Sequence, residues 1–352
     1  MAEIVAGFGS SHTPLMSLTT GELWQEYAQN ADPRNKELVK PPDGQHLTYE
    51  ELLAGADPSI AKMVNVETFQ KRADNVQHGL DELGQRFAQV NPDVVVMFGD
   101  DQHELMYYDN YPSISVYWGK TITMIPRNPP ETASAPAKIS ARAYGTEERE
   151  YPVQSDLGLH IIETLMEREF DVAHSTYLKE EYGGDIGPST WYLNFESKTK
   201  PKRQGLGHAF AFPIVRWFSG KTVPIVPITI NTCYPPNWIS PKRAFSLGRA
   251  VREAIQGWNS DARVAVATSG GLSHFVVDEE LDRLALKGMG EANGEMLTSM
   301  PRVRLQSAST EILNWVAVSG AMGTSRLETI TYEPGYRTPA GTGCGCACGQ
   351  WN

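Results

Sequence analysis

Short apolar runs that end abruptly in glycine or small polar residues recur along the chain and predict buried strands. A strand that is covered on both faces reads as a continuous hydrophobic run rather than as an alternating one. The runs occupy residues 3–10, 93–98 and 263–268, with shorter ones at 113–118 and 120–125. A further run at 222–230 contains Pro224 and Pro227, which favour the edge of a sheet because proline lacks a backbone donor.

Segments with helical periodicity lie between these predicted strands. The clearest helix covers residues 66–89, where apolar residues at steps of three and four form one stripe: Phe69, Ala73, Val76, Leu80, Leu83 and Phe87. Residues 153–169 and 242–257 show the same pattern, and a serine-rich turn at 307–310 starts an apolar helix with Glu311 in its first turn. Strands that alternate with helices predict an α/β fold with a central, mostly parallel sheet and helices on both faces.

The alternation continues without a break in composition, which favours a single catalytic domain over residues 1–335. Residues 15–65 are rich in polar, proline and glycine positions, with short helical patches at 22–27 and 49–53, and are predicted to form an elaborated loop or lid over the site. Residues 336–352 form a Gly/Cys-rich tail. Because Cys344, Cys346 and Cys348 lack the paired C-x-x-C spacing of structural zinc sites, a flexible terminus is favoured over a soft-metal site.

Composition and charge narrow the classes of partner. The 352 residues carry a net charge of −11 with a pI near 5.3, and no basic block, so a nucleic-acid partner is not expected. No apolar run reaches the roughly 20 residues that span a bilayer, and no leader pattern precedes the first strand. A cytoplasmic protein that does not contact membranes is expected, with a homodimer as the most common oligomer.

Histidines follow three of the predicted strands at their carboxyl ends, where ligands bind in open α/β sheets. These are His12, His103 and His274, while His208 sits between glycine and an apolar segment. Two imidazoles and one carboxylate, such as Glu311, can hold non-haem Fe(II), and the same set can hold zinc. Surface histidines and a first-turn glutamate are also ordinary features of soluble proteins. A zinc or two-metal hydrolase using His12, Asp100, Asp101 and His103, or a metal-free binding module, therefore stays open at this point.

Five stretches occur in a consistent order: Gly-Phe-Gly-Ser-Ser-His12, Val-Val-Val-Met-Phe-Gly-Asp-Asp-Gln-His103, Gly-His208-Ala-Phe-Ala-Phe-Pro, Ser-Gly-Gly-Leu-Ser-His274-Phe and Ala-Ser-Thr-Glu311. In that order they resemble the signatures of the class III extradiol ring-cleavage dioxygenases. This is the family of the catalytic β subunit of protocatechuate 4,5-dioxygenase and of the gallate and 3-O-methylgallate dioxygenases.

The resemblance implies a catechol substrate, O₂ and Fe(II), with His12, His103 and Glu311 as the iron ligands. It implies that His274 is the base that deprotonates the substrate and that His208 acts beside it. The second stretch reads Asp-Asp-Gln-His where the family has Asn-Asp-His, which makes Asp101 an alternative middle ligand. The long segment between the first two ligands suggests that this chain supplies its own lid, and it favours gallate or 3-O-methylgallate ahead of protocatechuate. Seven aromatic residues are candidates for the pocket wall: Trp24, Tyr27, Tyr107, Tyr108, Phe210, Phe212 and Phe275.

Overall fold

The computed structural model describes residues 1–183 and 202–352. The strands of the central sheet are β1 (Glu3–Ser10), β4 (Val94–Gly99), β5 (Ile114–Tyr117), β8 (Ala173–Ser175), β9 (Ile225–Ile230), β10 (Arg263–Ser269), β11 (His274–Val276), β12 (Leu327–Tyr336) and β13 (Thr342–Trp351). Two small two-stranded sheets pair β2 (Val39–Lys40) with β3 (Gln45–His46) and β6 (Thr121–Met124) with β7 (Arg149–Pro152).

The helices are α1 (Gly21–Ala31), α2 (Tyr49–Ala54), α3 (Pro58–Ala61), α4 (Val66–Val90), α5 (Ala135–Ala141), α6 (Ser155–Glu167), α7 (His208–Arg216), α8 (Pro241–Gly257), α9 (Glu279–Gly290), α10 (Gly294–Thr298) and α11 (Ile312–Met322). Short 3₁₀ turns at Pro14–Ser17, Asp32–Arg34, Arg142–Tyr144 and Ser307–Glu311 join them. None of the helices in the described part of the chain is both long and apolar enough to cross a membrane.

The central sheet has the strand order β11-β13-β1-β10-β4-β9-β5-β8, and β12 pairs with β13. Strands β1, β10, β4 and β9 are mutually parallel, whereas β13 is antiparallel to β1 and β5 is antiparallel to β9. The α/β fold with a mostly parallel sheet is therefore confirmed. Four parallel strands side by side bring four carboxyl ends to one edge of the sheet.

Successive residues of each central strand enter opposite layers of the core. In β4, Val95 and Met97 pack with α4 and α7, while Val94, Val96 and Phe98 pack with α8 and α11. The two hydrophobic clusters lie on opposite faces of the sheet because side chains alternate along a strand. This two-sided burial explains the continuous apolar runs in the sequence.

Strand β9 is an interior strand, so the prediction that residues 222–230 form an edge strand is wrong. It lies between β4 and β5 in the sheet. Pro224 precedes its first residue, and the carbonyl of Pro224 accepts a hydrogen bond from the amide of Val95. By the alternation of the backbone, Pro227 directs its nitrogen to the same side as Ile225, away from β4. The parallel ladder with β4 therefore needs no donor from Pro227.

The Gly/Cys-rich C-terminus forms β13, so the expectation of a flexible terminus is wrong. All residues of Thr342–Trp351 are buried, and the strand pairs with β1, β11 and β12. Glycine is required at places of close approach: a side-chain carbon on Gly345 would lie 2.2 Å from a carboxylate oxygen of Asp282. The small residues that suggested a loop are what allow this strand to fit.

Residues 15–65 contain the two predicted helical patches, as α1 and α2, and more regular structure besides. They form α1, α2 and α3 and the β2–β3 hairpin, and α1 packs against α4. Trp24 of α1 is fully buried and stacks on Phe69 of α4 with 5.8 Å between ring centroids. This packing fixes the segment to the sheet beside the carboxyl ends of the strands.

Candidate active site

The carboxyl ends of three adjacent parallel strands deliver polar side chains to one cavity. His12 lies two residues past β1, Asp100 directly follows β4, and the loop after β10 leads to His274. His208 begins α7, and Glu311 ends the 3₁₀ turn before α11. The structure thus brings together four of the five predicted site residues: His12, His208, His274 and Glu311.

His12 is held in one orientation by contacts on both sides of its ring. Its Nδ1 lies 2.8 Å from the Ser269 hydroxyl, at the end of the neighbouring strand β10. Its Nε2 lies 3.1 Å from Oε2 of Glu311 and 3.2 Å from Nε2 of His208. With Nδ1 occupied by Ser269, the lone pair available for a metal is on Nε2, which faces the cavity.

His208 is anchored by a buried carboxylate. Glu104 accepts hydrogen bonds from its Nδ1 at 2.7 Å and from its backbone amide at 3.0 Å, and it also pairs with Arg127 and the Tyr144 hydroxyl. Burial raises the pKa of Glu104, but His208 and Arg127 outweigh it and hold that pKa well below its usual range. Burial lowers the pKa of His208. The charge of Glu104 and its hydrogen bond outweigh this effect and raise the pKa of His208 to about 9.

Two buried carboxylates, Asp100 and Glu311, face the histidines. Glu311 accepts hydrogen bonds from the amide of Gly271 at 2.6 Å and from the Gln102 side chain at 2.9 Å. Burial raises its pKa, but His274 and His12 outweigh this and lower it. For Asp100, burial first and the Glu311 charge second raise the pKa to about 6. One oxygen of Asp100 accepts from the Asn314 amide at 2.9 Å.

The position of the hydrogen on the His274 ring, in its neutral form, follows from its hydrogen-bond partners. Its Nδ1 lies 2.9 Å from the carbonyl oxygen of Leu272, which can only accept, so Nδ1 carries the hydrogen. Its Nε2 therefore carries the lone pair, which accepts a hydrogen bond from the Cys344 thiol at 3.2 Å and lies 3.9 Å from Glu311. Burial lowers the pKa of His274, and it outweighs the charge of Glu311 and the hydrogen bond to Leu272, which raise that pKa.

His103 lies outside this group of side chains, so the structure does not bring it together with His12 and Glu311. Its backbone has φ +56°, and its Nδ1 lies 3.2 Å from the carbonyl oxygen of Met106. The ring packs against Tyr234 with 4.1 Å between centroids, in a separate depression that it lines with Tyr108 and Tyr111. The preceding residue, Gln102, is the one that reaches Glu311.

Asp101, the alternative middle ligand, stabilises the turn instead. Its carboxylate accepts hydrogen bonds from the backbone amides of Glu104, Leu105 and Met106 at 2.8–3.2 Å. The four residues of the hydrolase hypothesis, His12, Asp100, Asp101 and His103, are therefore not assembled into one site. His12 instead forms a group with Asp100 and His208 whose ligand atoms all lie within 4.8 Å of one another.

The cavity over these groups has a volume of about 230 Å³. Pockets for drug-sized ligands measure about 300–1,000 Å³, so this one suits a molecule built on a single ring. Of the seven predicted aromatic wall residues, Tyr27 and Phe275 line it. Sequence reasoning missed five further residues of the site: Gln102, Glu104, Arg127, Tyr144 and Arg337. The first two lie in the motif around His103 and could have been considered, whereas the other three carry no local signal.

A protein-family model described as the catalytic LigB subunit of aromatic ring-opening dioxygenase matches residues 57–345. The matched segment includes Asp100, His208, His274, Glu311 and Arg337. His12 precedes the matched segment, and its position two residues past β1 brings it to the same site.

Proposed function

Since the chain belongs to the family of catalytic LigB subunits of aromatic ring-opening dioxygenases, we propose that it cleaves a catecholic aromatic acid in the extradiol manner, with Fe(II) and O₂. The observation that carries the proposal is the convergence of His12, His208, Asp100 and Glu311 at the wall of a cavity that suits one ring. Family members are metal-dependent, and these side chains have the donor chemistry of a non-haem iron site.

The charges around Asp100 and Glu311 support a cation at this position. Both carboxylates are 1% exposed, and neither contacts a lysine or arginine among residues 1–183 and 202–352. Histidines are the charged partners of these two buried carboxylates, and a divalent ion beside His12 would neutralise them more fully. We assign His12, Asp100 and Glu311 as its protein ligands, with Asp100 in place of His103.

Bound there, Fe(II) would act as a Lewis acid on the substrate hydroxyl oxygens and would pass electron density from the substrate to O₂. Two histidines of the protein would carry out the proton transfers. His274, with its lone pair on Nε2, is placed to remove a hydroxyl proton from the substrate. His208, whose Nδ1 is held by Glu104, is placed to donate a proton or a hydrogen bond from Nε2.

Oxygen uptake by ferrous-loaded, anaerobically purified protein tests the reaction. We expect uptake with one or more of gallate, 3-O-methylgallate and protocatechuate, together with a new absorbance from the ring-opened product. Protein that holds stoichiometric Fe(II) and consumes no O₂ with a wide panel of catechols would contradict the proposal.

Metal analysis of variants tests the ligand assignment. His12→Ala and Asp100→Asn should lose bound iron, whereas His103→Ala, a matched control outside the cavity, should retain both iron and turnover. His274→Ala and His208→Ala should retain iron and lose turnover. Loss of iron from His103→Ala would restore His103 as the middle ligand, and loss of iron from His208→Ala would make His208 a ligand.

A further inference from the structure

Arg337 is a buried cation on the cavity wall, directly after β12. It is 4% exposed and lines the same cavity as His274 and Phe275. Its Nε donates to Oδ2 of Asp32 at 2.8 Å, and the guanidinium lies over the Tyr27 ring at 5.3 Å from the centroid. The same Asp32 oxygen accepts from the Thr342 hydroxyl at 2.8 Å. The guanidinium is therefore held in a fixed orientation through one of its three nitrogens.

The two terminal nitrogens of Arg337 are available for a ligand. Within the described residues they make no hydrogen bond, and they are not sealed in the interior as unpaired donors. They reach the solvent-accessible space of the cavity that Arg337 lines. Parallel N–H groups of a guanidinium match the two oxygens of a carboxylate, and such pairs are stronger than neutral hydrogen bonds.

Arg127, the other arginine among the described lining residues, already interacts with two side chains. It pairs with Glu104 at 3.1 Å and stacks on Tyr144 at 3.9 Å from the ring centroid. Its side chain is 46% exposed, which favours a weaker contact with a ligand because solvent screens it. Arg337 is both better buried and better oriented.

We propose that Arg337 binds the carboxylate of the substrate, so that the enzyme is selective for one-ring aromatic acids over neutral catechols. The inference rests on the proposed function in one respect, namely that the bound ring is then opened. Binding of a carboxylate at Arg337 does not depend on turnover. Asp32 and Tyr27 act as positioning residues for the guanidinium. Both come from residues 15–65, which thereby take part in substrate selection.

Calorimetric titration with benzoate and with benzamide, its neutral counterpart, measures the anion site without any reaction. We expect wild-type protein to bind benzoate more tightly than benzamide. Arg337→Met should weaken benzoate binding about 10- to 100-fold, the range for one or two charged hydrogen bonds, and leave benzamide unchanged. Arg337→Lys should retain part of the preference. The control Arg86→Met removes a surface arginine that pairs with Glu82 and Glu328 and should change neither titration.

A second variant distinguishes loss of the anion site from loss of the fold. It is needed because Arg337→Met leaves the buried carboxylate of Asp32 without its charged partner. The double variant Asp32→Asn/Arg337→Met removes both charges and should show the same loss of benzoate preference. Equal affinity of wild-type protein for benzoate and benzamide, or a preference that survives both substitutions, would overturn the proposal.

Kinetics with a carboxylated catechol and with 4-methylcatechol separate this inference from the proposed function. If Arg337→Met lowers kcat/KM equally for both substrates, ring opening stands and the anion site is wrong. If benzoate binding depends on Arg337 but no catechol is consumed with O₂, the anion site stands and the ring-opening function fails.

Discussion

Asp282 is a fully buried carboxyl group that supports the loop leading to His274, and its ionisation should lower the stability of the protein at neutral pH. It accepts hydrogen bonds from the amide and hydroxyl of Ser273 and from Tyr332, at 2.7–2.9 Å. Burial raises its pKa from 3.8 to about 7, the charge of Asp278 adds to this, and the three hydrogen bonds oppose it.

The sign of the effect follows from the direction of this shift. Because the pKa of Asp282 is higher in the folded than in the unfolded chain, folding favours the protonated form. Its contribution to stability is complete below pH 3.8 and is lost as pH rises toward 7. The full difference corresponds to about 4 kcal/mol at 1.36 kcal/mol per pH unit, of which roughly 2–3 kcal/mol falls between pH 5 and pH 8.

Urea unfolding at pH 5 and pH 8 measures this contribution as a difference between wild-type protein and Asp282→Asn. Asparagine does not titrate, so the free energy of unfolding of the variant should lack the decrease of roughly 2–3 kcal/mol between pH 5 and pH 8. The contributions of all other titratable groups cancel in the comparison. The control Glu67→Gln removes an exposed carboxylate that pairs with Lys71 and should follow wild-type protein. An identical pH dependence for wild-type protein and Asp282→Asn would refute the reasoning.

Two further predictions test the support of the site and the C-terminal strand. Glu104→Gln keeps the shape beside His208 but removes the charge, so turnover of the ferrous-loaded enzyme should fall about 10- to 100-fold with iron content retained; unchanged turnover would contradict the anchoring role of Glu104. All four cysteines are at most 1% exposed, so a thiol reagent should label none rapidly until the protein is unfolded. Rapid labelling of three thiols in native protein would show that β13 does not occupy the sheet.

The parts of the fold that could be predicted from the sequence are those with a strong hydrophobic period. Helix α4 was predicted within one residue of its observed end, and β4 and β10 were recognised by their continuous apolar runs. Strand β13 could not be recognised because its burial depends on small residues rather than large apolar ones. A side-chain carbon on Gly349 would lie 2.6 Å from the carbonyl oxygen of Glu328, a contact that only the folded sheet reveals.

The candidate site shows a similar limit at the level of single residues. The end of β4 was predicted to deliver a ligand, but a strand end does not determine which of several consecutive side chains enters the cavity. Asp101 binds three backbone amides and tightens the turn, so Gln102 faces Glu311 while His103 faces Tyr234. The direction of each side chain depends on this turn, which periodicity does not encode.

The segments predicted as a lid and a tail both contribute to the wall of the cavity. The residues proposed to select the substrate therefore come from other parts of the chain than the residues proposed to hold the metal. The parallel strand ends supply His12 and Asp100, which are tied to the rigid centre of the sheet. Arg337 and Cys344 come from the β12–β13 hairpin, and Tyr27 and Asp32 come from the chain around α1. Substitutions in this wall can change which acid is bound without moving the strand ends. We therefore expect related chains with the same strand-end residues to differ in substrate chiefly through these two segments.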